Sequence, residues 1–131
     1  MVFEEIVVLS LPFADVLARV KEELAAEGFG TLTEIDVQAT LKGAIDKDMD
    51  GYVIIGACNP TLAHRALEVE PQIGVLLPCN VVVRESDQKV MVEAMDPGVM
   101  TTIVGRKEIE PIAGEARRLI GNALGRLALA T

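Results

Sequence analysis

Between Pro12 and Glu27 the apolar residues Phe13, Val16, Leu17, Val20 and Leu24 recur at helical spacing, while Asp15, Arg19, Glu22 and Glu23 hold the opposite face. This pattern predicts an amphipathic helix. Pro12 suits its first turn, and Gly28 followed by Phe29 fits a left-handed cap sealed by an apolar contact. Near the C-terminus a longer stripe runs through Ile109, Ile112, Ala113, Ala116, Leu119, Ile120, Ala123, Leu124 and Leu127. It predicts a terminal helix docked on a sheet.

The remaining segments read mostly as strands. Phe3–Leu9 is a short first strand, and Gly30–Val37 a second with Thr31, Thr33, Ile35 and Val37 on one face and Leu32, Glu34 and Asp36 on the other. A short helix follows it to about Ile45. Tyr52–Cys58 is uninterrupted apolar sequence, too short for a freestanding helix and rich in Val and Ile, which predicts a strand covered on both faces. At Asn59-Pro60 the chain changes character. Asn is a strong N-cap and Pro suits the first helical position, so a helix should run to about Val69, with Leu62, Ala63, Ala66 and Leu67 inward and Pro71 closing it. Gly74–Arg84 and Lys89–Met95 read as an antiparallel pair joined by Glu85-Ser86-Asp87-Gln88. Pro78 cannot donate a ladder hydrogen bond, so the first arm should lie at an edge there or carry a bulge. Asp96-Pro97 repeats the cap-plus-proline signature and should open a short helix through Ile103.

The central hairpin requires antiparallel pairing, so the chain reads as one α+β domain over residues 1–131, an antiparallel or mixed sheet with helices mainly on one face. A flavodoxin-like parallel sheet is the alternative. No glycine-rich phosphate loop joins a strand to a helix, which disfavours it.

Composition narrows the partners. Twenty acidic against twelve basic side chains give a net charge of −8. Proteins that neutralise phosphates need clustered Lys and Arg, so nucleic acid and anionic membranes are not expected partners. No apolar stretch approaches the length of a membrane span, and the start of the chain has no export signal, so a soluble cytoplasmic protein is expected. Two cysteines in a reducing compartment are expected to be thiols. With 3% aromatic residues and no Trp, the core must be aliphatic.

Few residues suggest chemistry. Cys58 ends a strand immediately before a helix N-terminus, where free amides and the helix dipole favour a thiolate. His64 lies six residues on, and Cys79-Asn80 repeats the Cys58-Asn59 dipeptide after the other most apolar strand. The bland reading makes Cys58 a small buried hydrophobe and His64 a surface residue. Cys58, Cys79 and His64 match no compact zinc spacing, so no metal site is assigned. Asp46, Asp48, Asp50 and Gly51 copy the first half of an EF-hand loop, but position twelve falls on Ala57 and a strand follows, which favours a solvated turn. Glu34 and Asp36 form a carboxylate pair on one strand face, with Asp36 also placed to cap the next helix. There is no nucleophile elbow, phosphate loop or His-Glu-x-x-His motif.

Four motifs in order, Leu32-Thr33-Glu34-Ile35-Asp36-Val37, Ile55-Gly56-Ala57-Cys58-Asn59-Pro60, Leu76-Leu77-Pro78-Cys79-Asn80-Val81-Val82-Val83 and Asp96-Pro97, resemble the family named domain of unknown function 302, particularly its single-domain, thermophile-type members. The resemblance spans roughly Ile6 to Leu124. It implies helices against a curved antiparallel sheet, a homodimer, and no established reaction. Asn59-Pro60, Leu77-Pro78 and Asp96-Pro97 match elements shared across the wider family, whereas the cysteines fall outside that wider pattern.

The expected function is therefore a homodimeric module binding a small molecule or a partner near Cys58, Asn59, His64, Cys79 and Asn80. The alternative is a thiol-dependent or metal-assisted enzyme using Cys58, with cofactor unspecified.

Overall fold

A computed structural model describes residue 2 and residues 6–130. Five strands, β1 (Val7–Leu9), β2 (Gly30–Asp36), β3 (Tyr52–Cys58), β4 (Cys79–Ser86) and β5 (Lys89–Ala94), form one sheet in the order β1-β5-β4-β3-β2. Every pairing is antiparallel, which excludes the flavodoxin-like alternative. The Phe3–Glu5 part of the expected first strand lies outside the described residues.

The first helix, α1 (Phe13–Ala26), forms where its periodicity predicts, with Val16, Val20 and Leu24 buried. Its C-terminus closes as a Schellman motif: the Gly28 amide donates to the Ala25 carbonyl, and that of Phe29 to the Leu24 carbonyl. Gly28 has φ of +84°, a left-handed value that Gly reaches without steric cost, and Phe29 is buried beside it. The terminal helix α5 (Glu110–Leu127) buries Ile112, Ala113, Ala116, Ile120, Ala123, Leu124 and Leu127, so its stripe docks as expected. Arg126 pairs with Glu23 and joins α5 to α1. Helices α2 (Val37–Ile45), α3 (Pro60–Val69) and α4 (Gly98–Val104) complete the helical set, with 3₁₀ turns at Pro71–Leu76 and Lys107–Ile109.

Helices and strands meet in one aliphatic core. Paired residues on neighbouring antiparallel strands share a face. One face presents Val7, Leu9, Val53, Ile55, Ala57, Cys79, Val81, Val83, Val90, Val92 and Ala94, all buried. Apart from Gly56, no residue of the opposite face is buried.

Three expectations need correction. Gly74–Leu77 is not strand: Pro71–Leu76 is a 3₁₀ turn, started by the Glu70 carboxylate accepting from the Gln72 amide at 3.2 Å, and β4 begins only after Pro78, whose bond to Leu77 is cis. Proline thus stands neither at an edge nor in a bulge but ahead of the strand. In β2 the register shifts between Thr31 and Thr33, so Thr31 pairs with Ala57 on the helix side and Thr33 with Gly56 on the other. A bulge at Leu32 breaks the alternation. Leu67, expected inward, is 41% exposed because α3 buries only the narrower stripe of Leu62 and Ala66.

Candidate functional site

The junction between β3 and α3 forms as the local sequence dictates. The Asn59 side-chain oxygen accepts from the Leu62 amide at 3.2 Å, its carbonyl accepts from Ala63 at 2.9 Å, and Pro60 occupies the first turn. Its Nδ2 leans on the Glu27 carbonyl and on Gly28, where an added Cβ would stand 3.1 Å away. The cap consumes the amides that a ligand would otherwise meet. Pro60 has none, and those of Leu62 and Ala63 are bonded, so Thr61 supplies the remaining open amide of the first turn.

The two thiols are separated by strand alternation. Cys79 pairs with Ala57 in register and points into the helix-side core, while Cys58, one residue beyond Ala57, takes the opposite face and is partly exposed. Both are free. Burial pushes the Cys79 thiol up to about 11, with a smaller contribution from the nearby charge of a Cys58 thiolate. Cys79 is therefore a neutral, apolar wall at physiological pH. His64 is exposed on the outer side of α3, its Nδ1 3.1 Å from the Glu68 carboxylate one turn on, and no hydrogen bond or ion pair joins it to Cys58. Asn80 is exposed, and its carbonyl accepts from the Met95 amide at 3.0 Å. Of the five candidates, Asn59 and Cys79 converge on one feature, and Cys58, His64 and Asn80 stand apart from it.

That feature is an apolar slot between α3, the Pro71–Leu76 turn, α4 and α5. It holds about 40 Å³ of unfilled space and is partly open, walled by Leu62, Ala66, Ile73, Met100 and Ala116 with Cys79 on the strand side. Among the described residues that line it, Asn59 and the Cys79 thiol carry the polar side chains. An ion pair between Asp96 and Arg117 at 3.2 Å ties the start of α4 to α5, and the Asp96 carboxylate accepts from the Gly98 amide at 2.9 Å. Met100, Ile112 and Ala113 escaped sequence reasoning because nothing distinguishes an aliphatic slot wall from an aliphatic core.

Four of the other carboxylates singled out in the sequence, Glu34, Asp36, Asp46 and Asp48, are already engaged. Glu34 accepts from Lys21 at 2.8 Å, and Asp36 caps α2 through the Ala39 amide at 2.9 Å, so the two carboxylates of β2 serve packing and capping. The Lys42 ammonium bridges Asp46 at 2.9 Å and Asp48 at 3.0 Å, filling with a side-chain cation the place where the EF-hand pattern would put calcium. These two carboxylates raise the Lys42 pKa, led by Asp46. Among the described residues no three His, Cys, Asp or Glu side chains cluster as metal ligands. None of their helices is long and apolar enough to cross a membrane.

The model of the domain of unknown function 302 family matches residues 5–127, and the chain belongs to that family. Its fold is also that of a solved structure described as an uncharacterized conserved protein of this family from Bacillus stearothermophilus, 25% identical, with a TM-score of 0.86 over 93% of this chain and 95% of that one. No curated protein matches the chain.

Proposed function

We propose that the chain is a homodimeric binding module that accepts the slender aliphatic end of a small molecule in the slot beside Cys79. The observation that carries this reading is the unfilled 40 Å³ inside an aliphatic wall. Protein cores rarely leave voids larger than a water molecule, and a void without polar partners stays dry. The slot offers a water few hydrogen bonds, yet it has room for more than one. At about a quarter of the roughly 150 Å³ cavity that takes benzene in an engineered protein, it suits the tip of an alkyl chain better than a ring. Asn59 and the Thr61 amide stand at the same junction as candidates to meet a polar head group.

Calorimetric titration with a series of straight-chain alcohols tests the reading. Affinity should rise with chain length and fall when Ala116→Val fills the slot; no binding by any member, or equal binding by the variant, contradicts it. Iodoacetamide labelling separates the enzymatic alternative. A Cys58 that alkylates at neutral pH as fast as a free thiolate would favour a nucleophile instead.

A further inference from the structure

The sheet face turned away from the core carries apolar side chains, and among the described residues Ile54, Val82 and Met91 there are half-buried while Val8 and Ile35 are exposed. Its central row, Ile35, Ile54, Val82 and Glu93, is set by the β2–β3–β4–β5 register, and the adjacent row runs Tyr52, Arg84, Met91 and Val8. Val8 and Ile35 are 45% and 47% exposed, and α2 buries none of its residues. An antiparallel sheet with one solvated face alternates apolar and polar residues. Here β3 and β4 instead read Val53-Ile54-Ile55 and Val81-Val82-Val83, the pattern of strands covered on both sides.

We infer that this open face is the contact between two copies of the chain, packed sheet on sheet. The inference rests on the dimeric reading above and assigns it a surface. Charge selects a second copy as the occupant. The chain carries a net charge of −8, so its copies repel over most approaches. Among the described strand positions of this face Glu93 is the one acid, set against Arg84 and Lys89, and Arg84 is ion-paired to Glu93. A patch that holds both signs side by side complements itself under a two-fold rotation, as an isologous interface requires. Five strands at about 4.8 Å spacing and about six residues long span on the order of 400 Å² in flat projection. Side-chain relief brings that toward the roughly 800 Å² per partner of a standard interface.

Sedimentation equilibrium of the wild-type chain and of Arg84→Glu, Glu93→Arg and Val75→Glu tests the assignment. Val75, on the 3₁₀ turn of the helical side, is 88% exposed and serves as the control. The wild type and Val75→Glu should be dimers of the 14.0 kDa chain. Arg84→Glu and Glu93→Arg each place like charges on the face, so each alone should dissociate with a dimer constant weakened roughly a hundredfold. Mixed in equal amounts, the two should form a heterodimer. Circular dichroism of each variant confirms that it has folded, and the heterodimer shows that both faces remain intact. A wild type that stays monomeric overturns this assignment and the dimeric reading together. A dimeric wild type whose association neither variant weakens overturns the assigned surface alone.

Discussion

Gly56 and Pro78 meet across the start of the β3–β4 pair so closely that a Cβ on Gly56 would lie 2.7 Å from the proline ring, with the Thr33 hydroxyl closer still. Three of the motifs that carry the family resemblance thus converge at one point of the sheet: the β2 strand, the Gly56–Pro60 segment and Leu77-Pro78. Their shared role is backbone placement. Pro78 fixes where β4 begins, and β4 sets Cys79 against Ala57 beside the slot.

Gly56→Ala should therefore destabilise the fold by about 2 kcal/mol, the usual scale of overpacking. Adding Thr33→Ala should recover part of the loss, because the Thr33 Cβ stands 3.5 Å from the new methyl while its hydroxyl is gone. Urea unfolding of the single and double variants measures both.

Cys79 links stability to alkaline pH. Its thiol is protonated in the folded chain up to about 11, against an ordinary value of 9.0. Between those values the unfolded chain loses a proton that the native chain keeps, so stability is full below about 9 and falls as pH rises through 11. The shift corresponds to roughly 2–3 kcal/mol. Urea unfolding midpoints from pH 8 to 11 should fall for the wild type and flatten for Cys79→Ala over the same range.

Asn59 is held as a cap by its own side chain. Asn59→Ala should cost about 1–2 kcal/mol, whereas Asn59→Asp retains the acceptor for the Leu62 amide and should cost less. Thermal unfolding of the two variants ranks them.

The β4–β5 turn places Asp87 at φ +50° and Gln88 at φ +64°, the two left-handed positions of a type I′ hairpin, which favours Asn-Gly. Gln88→Gly should raise stability by about 1 kcal/mol, read as a higher urea midpoint with an unchanged slope. A lower midpoint would mean that the turn gains more from the glutamine side chain than it loses in backbone strain.

The elements that sequence patterning reaches are those with periodicity and punctuation together. The stripe of α5, the Gly28-Phe29 cap of α1 and the Asn59-Pro60 junction each combine a spacing with a residue whose backbone chemistry admits few alternatives. The 3₁₀ turn over Pro71–Leu76 defeats the same reasoning, because a short apolar stretch has no period and only Ile73 within it is buried. The bulge at Leu32 inserts one residue into a ladder and leaves no sign in composition. Of the site, Asn59 and Cys79 are legible through capping and thiol chemistry. The remaining walls come from elements dozens of residues apart, and only folding brings Leu62, Met100 and Ala116 together.

The proposed occupant of the slot beside Cys79 is an aliphatic group. A crystal of the wild-type chain pressurised with xenon tests it most directly, since xenon occupies dry apolar cavities without needing a polar anchor. A xenon peak is expected in van der Waals contact with the Cys79 sulfur and the Ala116 methyl, and it should be lost in Ala116→Val. A wild-type crystal whose slot stays unoccupied while xenon binds elsewhere would contradict it.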